Sequence, residues 1–317
     1  MLDTLLPWIA ILIGFIGLIW SADRFVDGSA TIASRFGISK LIIGLTVVAF
    51  GTSAPEVVVS ISSSLKDSGD LAIGNAIGSN LANIGLVLGI TALIAPLPIK
   101  THILKQEFLI MLGVFALAGV FLFDSKLSLL EGIILVSLLL PLLLWIAYSK
   151  KQHPEDEEDL PEITSLNAGI LWFFVGLSLL IASAEILVWG AKIVALELGV
   201  SPLIIGLTVV AIGTSLPELA ASVMSALKGH HDIAIGNVIG SNIFNLLLVM
   251  GIAPIIKPLA MDAEVFSRDF AAMSIIALFL GGAMWFSYLK NKGSSQLGRL
   301  AGIALLLLYA SYFILLF

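Results

Sequence analysis

Residues 41–90 read LIIGLTVVAFGTSAPEVVVSISSSLKDSGDLAIGNAIGSNLANIGLVLGI, and residues 203–252 read LIIGLTVVAIGTSLPELAASVMSALKGHHDIAIGNVIGSNIFNLLLVMGI. The two stretches align at a constant offset of 162 residues without a gap, and 32 of the 50 positions are identical. The identities are not confined to apolar positions. Both copies carry GTSxPE and GNxIGSN inside otherwise apolar sequence. Gly, Pro, Asn and Glu are poor choices for the middle of a membrane helix, so each repeated one needs a reason.

The composition explains why a membrane is the relevant solvent. Of 317 residues 59% are hydrophobic and 12% charged, with a mean hydropathy of +1.09. A soluble domain carries about a quarter charged residues. The chain therefore reads as an all-α integral membrane protein embedded in a lipid bilayer. It has no Cys, which removes disulfides and thiolate metal sites. No basic patch with interleaved aromatics points to nucleic acid. The four histidines, His102, His153, His230 and His231, fall in expected loops, with no HExxH motif and no Ser–His pairing. The chain is expected not to be an enzyme and to need no cofactor.

Apolar runs of the ~20 residues that cross a bilayer are expected at 5–36, 39–65, 71–95, 106–123 and 127–149, and again at 167–198, 201–227, 232–256, 267–289 and 297–317. The first run lacks a basic leader and a small-residue cleavage site, so it is read as retained. A polar linker, 150–166, holds the acidic run Glu155, Asp156, Glu157, Glu158 and Asp159. It is a solvated tether or a regulatory cation site; five consecutive acids lack the alternating ligands of a calcium loop.

The first and sixth runs also correspond at offset 162, Gly14 with Gly176 and Ser21 with Ser183. The expected plan is thus two five-helix repeats, 1–149 and 167–317, with cores at 41–90 and 203–252. An odd number of crossings inserts the second copy upside down, the inverted repeat typical of secondary transporters. With the N-terminus outside, ten basic residues of the short connections, Lys100, Lys150 and Lys151 among them, lie at the inner face and four at the outer. The positive-inside bias then places both termini outside and the linker in the cytoplasm of a multi-pass protein of the cell (inner or plasma) membrane.

Glu56 and Glu218 lie midway along apolar segments, where an ionised carboxylate costs several kcal/mol unless compensated. Such an acid either caps a broken helix or pairs with a charge. Neither core has a Lys or Arg within two turns of its Glu, and two facing acids without a base make sense if a cation neutralises both. Helical spacing puts Ala49, Thr52, Ser53, Glu56, Ser60 and Ser63 on one face, and Ala211, Thr214, Ser215, Glu218, Ser222 and Ser225 on its counterpart. Hydroxyl oxygens suit Na+ and Ca2+, although small residues also serve close helix packing. Pro55 and Pro217 lack the N–H that would close the ladder at Gly51 and Gly213. Asn75, Ser79 and Asn83 fall four apart, as do Asn237, Ser241 and Asn245, lining one face of the third and eighth helices with amide and hydroxyl oxygens. Asn80 and Asn242 point elsewhere, toward backbone groups. Asp23 and Glu185 are equally readable as access-path acids or as interfacial ones.

These paired motifs resemble the α-repeats of the calcium/cation antiporter superfamily, whose sodium/calcium exchangers carry GTS-x-PE and GN-x-x-GSN signatures. The resemblance covers the whole ten-helix plan. It implies ion ligation by Glu56, Thr52, Ser53, the Ala49 carbonyl, Ser79 and Asn83, and by Glu218, Thr214, Ser215, the Ala211 carbonyl, Ser241 and Asn245. It also implies a sliding gate made of the long first and sixth helices. Some members, potassium-dependent ones included, have Asp at the position of Asn245. The expected function is antiport of Ca2+ against Na+ by alternating access, with the transported ions as the partners and a monomer as the working unit. H+ as the driving ion is the alternative, and a cation channel is the rival class.

Overall fold

The computed structural model describes residues 2–66, 68–151, 165–199 and 211–316. The acidic run 155–159 and residues 201–210, expected to open the seventh helix, lie outside the described residues.

The described residues are all-α apart from four strands of two or three residues. In order the helices are α1 (Leu2–Phe36), α2 (Lys40–Thr52), α3 (Ala54–Leu65), α4 (Leu71–Ile94), α5 (Ile103–Leu122) and α6 (Leu129–Lys151). They continue as α7 (Leu166–Glu197), α8 (Ala211–Thr214), α9 (Leu216–Leu227), α10 (His231–Ile256), α11 (Val265–Lys290) and α12 (Arg299–Leu316). Seven of them are long and apolar enough to cross a bilayer, and the bent pair α2–α3 makes eight if it counts as one crossing. The outward faces are apolar: Leu12 and Phe15 on α1, Leu140 and Leu144 on α6, and Leu307 and Ile314 on α12 are exposed. A helix satisfies its own backbone polar groups, which lets such surfaces face lipid.

The polar residues are inside. Every residue of α10 from Asp232 to Phe244 is buried, although this stretch holds two Asn, a Ser and two Gly. Glycine makes that crossing possible: a Cβ on Gly236 would stand 2.8 Å from the Leu41 carbonyl oxygen of α2, so only a bare Cα allows the two backbones to touch. Wider π turns interrupt α2 at Gly44–Val48, α4 at Asn83–Val87 and α10 at Asn245–Val249. Such turns often mark functional positions in helices.

The long helices α1 and α7 pack antiparallel as a pair, because residues early in α1 meet residues late in α7. Gly14 lies against Leu187, and its repeat counterpart Gly176 lies against Phe25, the counterpart of Leu187. Gly28 against Phe173 and Gly190 against Ile11 repeat the exchange. The strands add a second reciprocal tie. β1 (Leu97–Ile99), before α5, pairs antiparallel with β4 (Ser295–Leu297), after α11. β2 (Lys126–Leu127), after α5, pairs with β3 (Leu259–Ala260), before α11. The start of each helix is thus bound to the end of the other, so α5 and α11, equivalent by sequence, run in opposite directions.

Candidate ion-binding site

Each glutamate owes its position to a broken helix. α2 ends at Thr52, Ser53 adopts φ −82° and ψ 6°, and α3 starts at Ala54 after a bend of 44°. Pro55 sits in the first turn, where a helix tolerates proline because its missing N–H has no ladder partner there. Glu56 follows in the same turn. The second copy repeats the arrangement: α8 ends at Thr214, Ser215 has φ −90° and ψ 4°, and α9 carries Pro217 and Glu218 in its first turn. Both carboxylates are fully buried. The partial positive charge at a helix start favours an anion in its first turn, so each break both places the acid and stabilises its charge.

Each carboxylate accepts from a hydroxyl, Glu218 from the opposite copy and Glu56 from its own, and among the described residues neither pairs with a base. The Ser53 hydroxyl donates to Glu218 Oε1 at 3.1 Å, and the Ser79 hydroxyl donates to Glu56 Oε1 at 3.4 Å. The Ser241 hydroxyl is buried and has no hydrogen-bond partner among the described residues. Thr52 Oγ1 donates to Asn237 Oδ1 at 3.1 Å and has the Ala49 carbonyl oxygen 3.3 Å away. Glu56 Oε2 and Glu218 Oε2 have no hydrogen-bond partner among the described residues, and neither has the Ser215 hydroxyl. Asn83 and Asn245, fully buried one turn beyond Ser79 and Ser241, leave both amide atoms unpartnered among the described residues. Buried polar atoms without partners are costly in a lipid-embedded interior. Hard oxygens gathered around two carboxylates are the donor set that Na+ and Ca2+ take.

The structure thus joins Glu56 to Ser79, Glu218 to Ser53, and Thr52 to the Ala49 carbonyl. Ala211 is the first described residue of α8, and Thr214, partly buried, is its last. Two asparagines matter more than their spacing alone showed. Asn75 Nδ2 donates to the backbone carbonyl of Glu56, and Asn237 Nδ2 to that of Glu218, each at 3.3 Å. Asn237 also donates to the Ser222 hydroxyl at 3.0 Å. These amides fasten α4 to α3 and α10 to α9 beside the acids. The signal for them was present in the fourfold spacing with Ser79 and Ser241.

The two copies differ in exposure despite their matching sequence. Thr52 and Asn237 are fully buried, whereas their repeat counterparts Thr214 and Asn75 are partly exposed. The Thr52–Asn237 bond thus lies in the more deeply buried of the two equivalent places.

The family described as sodium/calcium exchanger protein matches residues 6–148 and 168–317. The chain belongs to the sodium/calcium exchanger family. The exchanger MaX1 of Methanosarcina acetivorans is 31% identical over 353 residues, covering 98% of each chain. The inner membrane protein YrbG of Escherichia coli K12 is 37% identical over 310 residues, covering 95% of this chain and 94% of that protein. A structure of the sodium-calcium exchanger NCX_Mj, soaked with Na+ and Ca2+, superposes with a TM-score of 0.83 at 33% identity, covering 98% of each chain. The fold is therefore that of an exchanger, and membership of this family makes the chain a multi-pass cation antiporter that moves Ca2+.

Proposed function

We propose that the chain exchanges Ca2+ for Na+ by alternating access, with Glu56 and Glu218 as the charged ligands. One observation carries the reading: two fully buried carboxylates from equivalent places in the two copies each keep an oxygen without a partner, and no base pairs with them, among the described residues. The neutral ligands are the hydroxyls of Thr52, Ser53, Ser79, Thr214, Ser215 and Ser241, the amide oxygens of Asn83 and Asn245, and the carbonyls of Ala49 and Ala211. MaX1 and NCX_Mj are exchangers by name, which supports Na+ and Ca2+ as the ion pair.

The architecture is ten membrane helices in two inverted five-helix repeats, 1–149 and 167–317, with the acidic linker between them. The reciprocal β1–β4 and β2–β3 ties and the opposed α5 and α11 support the inversion. The basic bias of the connections supports external termini and a cytoplasmic linker. YrbG, by its name, sits in an inner membrane, which supports the same location here. A site assembled from both halves of one chain needs no second subunit, so the monomer is the working unit.

Inversion explains transport. A site between two inverted halves has two equivalent approaches, and closing one while opening the other moves the ion without a through-pore. In this orientation the partly exposed Thr214 and Asn75 face outward, and the Thr52–Asn237 bond closes the cytoplasmic approach.

Charge counting tells the two candidate driving ions apart in a voltage experiment. Two carboxylates are balanced by one Ca2+ or by two H+, and a third Na+ would leave the loaded site at about +1, coupling the cycle to voltage at about 2.3 kcal/mol per 100 mV. The test is radiolabelled Ca2+ uptake into proteoliposomes preloaded with Na+, with K+ or with acidic buffer, at a potential clamped by valinomycin. Uptake that needs internal Na+ and responds to the clamp is expected. Uptake that runs on a pH gradient without Na+ and ignores the clamp would replace Na+ by H+. Uptake that needs no trans ion would make the protein a channel.

A further inference from the structure

The α1–α7 pair is fastened to the rest of the protein on one side by a charge cluster outside the ion site. Lys228 closes the C-terminal end of α9. Its Nζ stands 2.7 Å from Asp23 Oδ1 and 2.6 Å from Asp27 Oδ1, and donates to the Asp23 carbonyl oxygen at 3.1 Å. One ammonium group thus binds α9 to two acids of α1, one turn apart.

The repeat makes a second copy of these groups. At offset 162 the counterpart of Lys228 is Lys66, at the end of α3, and the counterpart of Asp23 is Glu185 on α7; Asp27 is replaced by Trp189. Lys66 and Glu185 are both exposed and form no ion pair among the described residues. The packing is one-sided in the same sense: α1 lies along α9, and α7 has no comparable interface with α3. Apposed residues of the pair, such as Gly14 with Leu187 and Phe25 with Gly176, place Glu185 level with about residue 16 of α1, so it lies roughly 10 Å along the axis from Asp23, on the opposite side of the pair's centre.

We propose that Lys228 and Lys66 are the two halves of an alternating ionic latch on the α1–α7 pair. In the arrangement seen here Lys228 holds α1 on α9 and keeps the approach past Thr52 and Asn237 closed. When the pair shifts the other way, Lys228 releases its acids and Lys66 takes Glu185. The latch is unequal, two carboxylates against one, so it favours the present arrangement; replacing Asp27 by Asn makes it one against one. This rests on the exchange reading, because a latch with two positions has a use only if the site opens alternately.

Because the chain has no Cys, single-cysteine probes can be read without background. Ala221 is fully buried on α9 in the same cluster as Ala22 and Phe25 of α1, so Ala221→Cys reports separation of α1 from α9. The measurement is its rate of modification by a hydrophilic thiol reagent applied to the face carrying Lys228, in the reconstituted full chain. Lys228→Ala should raise the rate about fivefold, the effect of losing a partly exposed charge cluster. Asp27→Asn should raise it less, Lys66→Ala should not raise it, and the exchanged pair Asp27→Lys with Lys228→Asp should bring it back. Ala118→Cys, buried in α5 away from the pair, must stay unlabelled, which separates release of the latch from unfolding. A parental rate in Lys228→Ala, or an equal rise in Lys66→Ala, overturns the latch. The labelling rate requires no ion flux, so an unchanged rate beside normal Na+-driven Ca2+ uptake sinks the latch alone, and absent uptake in the parent sinks the exchange reading.

Discussion

Asn80 and Asn242 occupy the same place in the two repeats, 162 residues apart, and they touch: Asn80 Nδ2 donates to the Asn242 backbone carbonyl at 3.2 Å. Two equivalent residues meet only where the axis relating their copies passes, so this pair marks the centre of the crossing between α4 and α10. The exchange is imperfect, since Asn242 Nδ2 donates instead to the Val238 carbonyl within its own helix, at 2.7 Å. Asn80→Ala should lower stability in detergent by about 0.6–1 kcal/mol, the scale of polar contacts between membrane helices. A thermal melt of the purified protein checks this; an unchanged midpoint would remove the bond from the crossing.

Ser53 reaches across the copies to Glu218, and it both interrupts a helix and serves the opposite acid. Ser53→Ala keeps the break but deletes the donor. A hydrogen bond to a charged group contributes about 1.5–3 kcal/mol, so apparent Ca2+ affinity should fall about tenfold or more while expression stays normal. The readout is the Ca2+ dependence of exchange under saturating trans Na+.

The antiparallel α1–α7 pair depends on glycine at its closest approaches. A Cβ on Gly176 would stand 2.6 Å from the Phe25 backbone nitrogen, and one on Gly14 would stand 2.7 Å from the Leu187 nitrogen. Backbone atoms cannot swing aside, so Gly176→Ala must push the helices apart. Exchange rate should fall severalfold with little change in equilibrium Ca2+ binding, because no ion ligand has moved. Equal losses of binding and rate would instead tie these glycines to the site itself.

The repeat, the helical class and the buried acids were legible in the sequence because each leaves a local signature. Pro55 and Pro217 announced the breaks, and Glu56 and Glu218 stood out against apolar neighbours. Partners that depend on the packing of the copies left no such mark. Ser53 binding the acid of the other copy, Asn75 and Asn237 holding the glutamate carbonyls, and Lys228 reaching back to Asp23 all join residues that no helical spacing relates. The π turns opening at Asn83 and Asn245 change neither composition nor period enough to be read. Matching sequences also conceal the asymmetry: Thr52 and Thr214 are the same residue in the same motif, and only one is fully buried.

The central claim is that Glu56 and Glu218 together hold the transported Ca2+. Its most direct test is equilibrium binding of radiolabelled Ca2+ to purified protein carrying Glu56→Gln or Glu218→Gln, with and without competing Na+. Glutamine keeps the shape and one oxygen but removes the charge that balances half of the ion. Either substitution is expected to abolish Na+-displaceable Ca2+ binding while the protein stays folded and monodisperse. Wild-type binding in either variant would contradict the account.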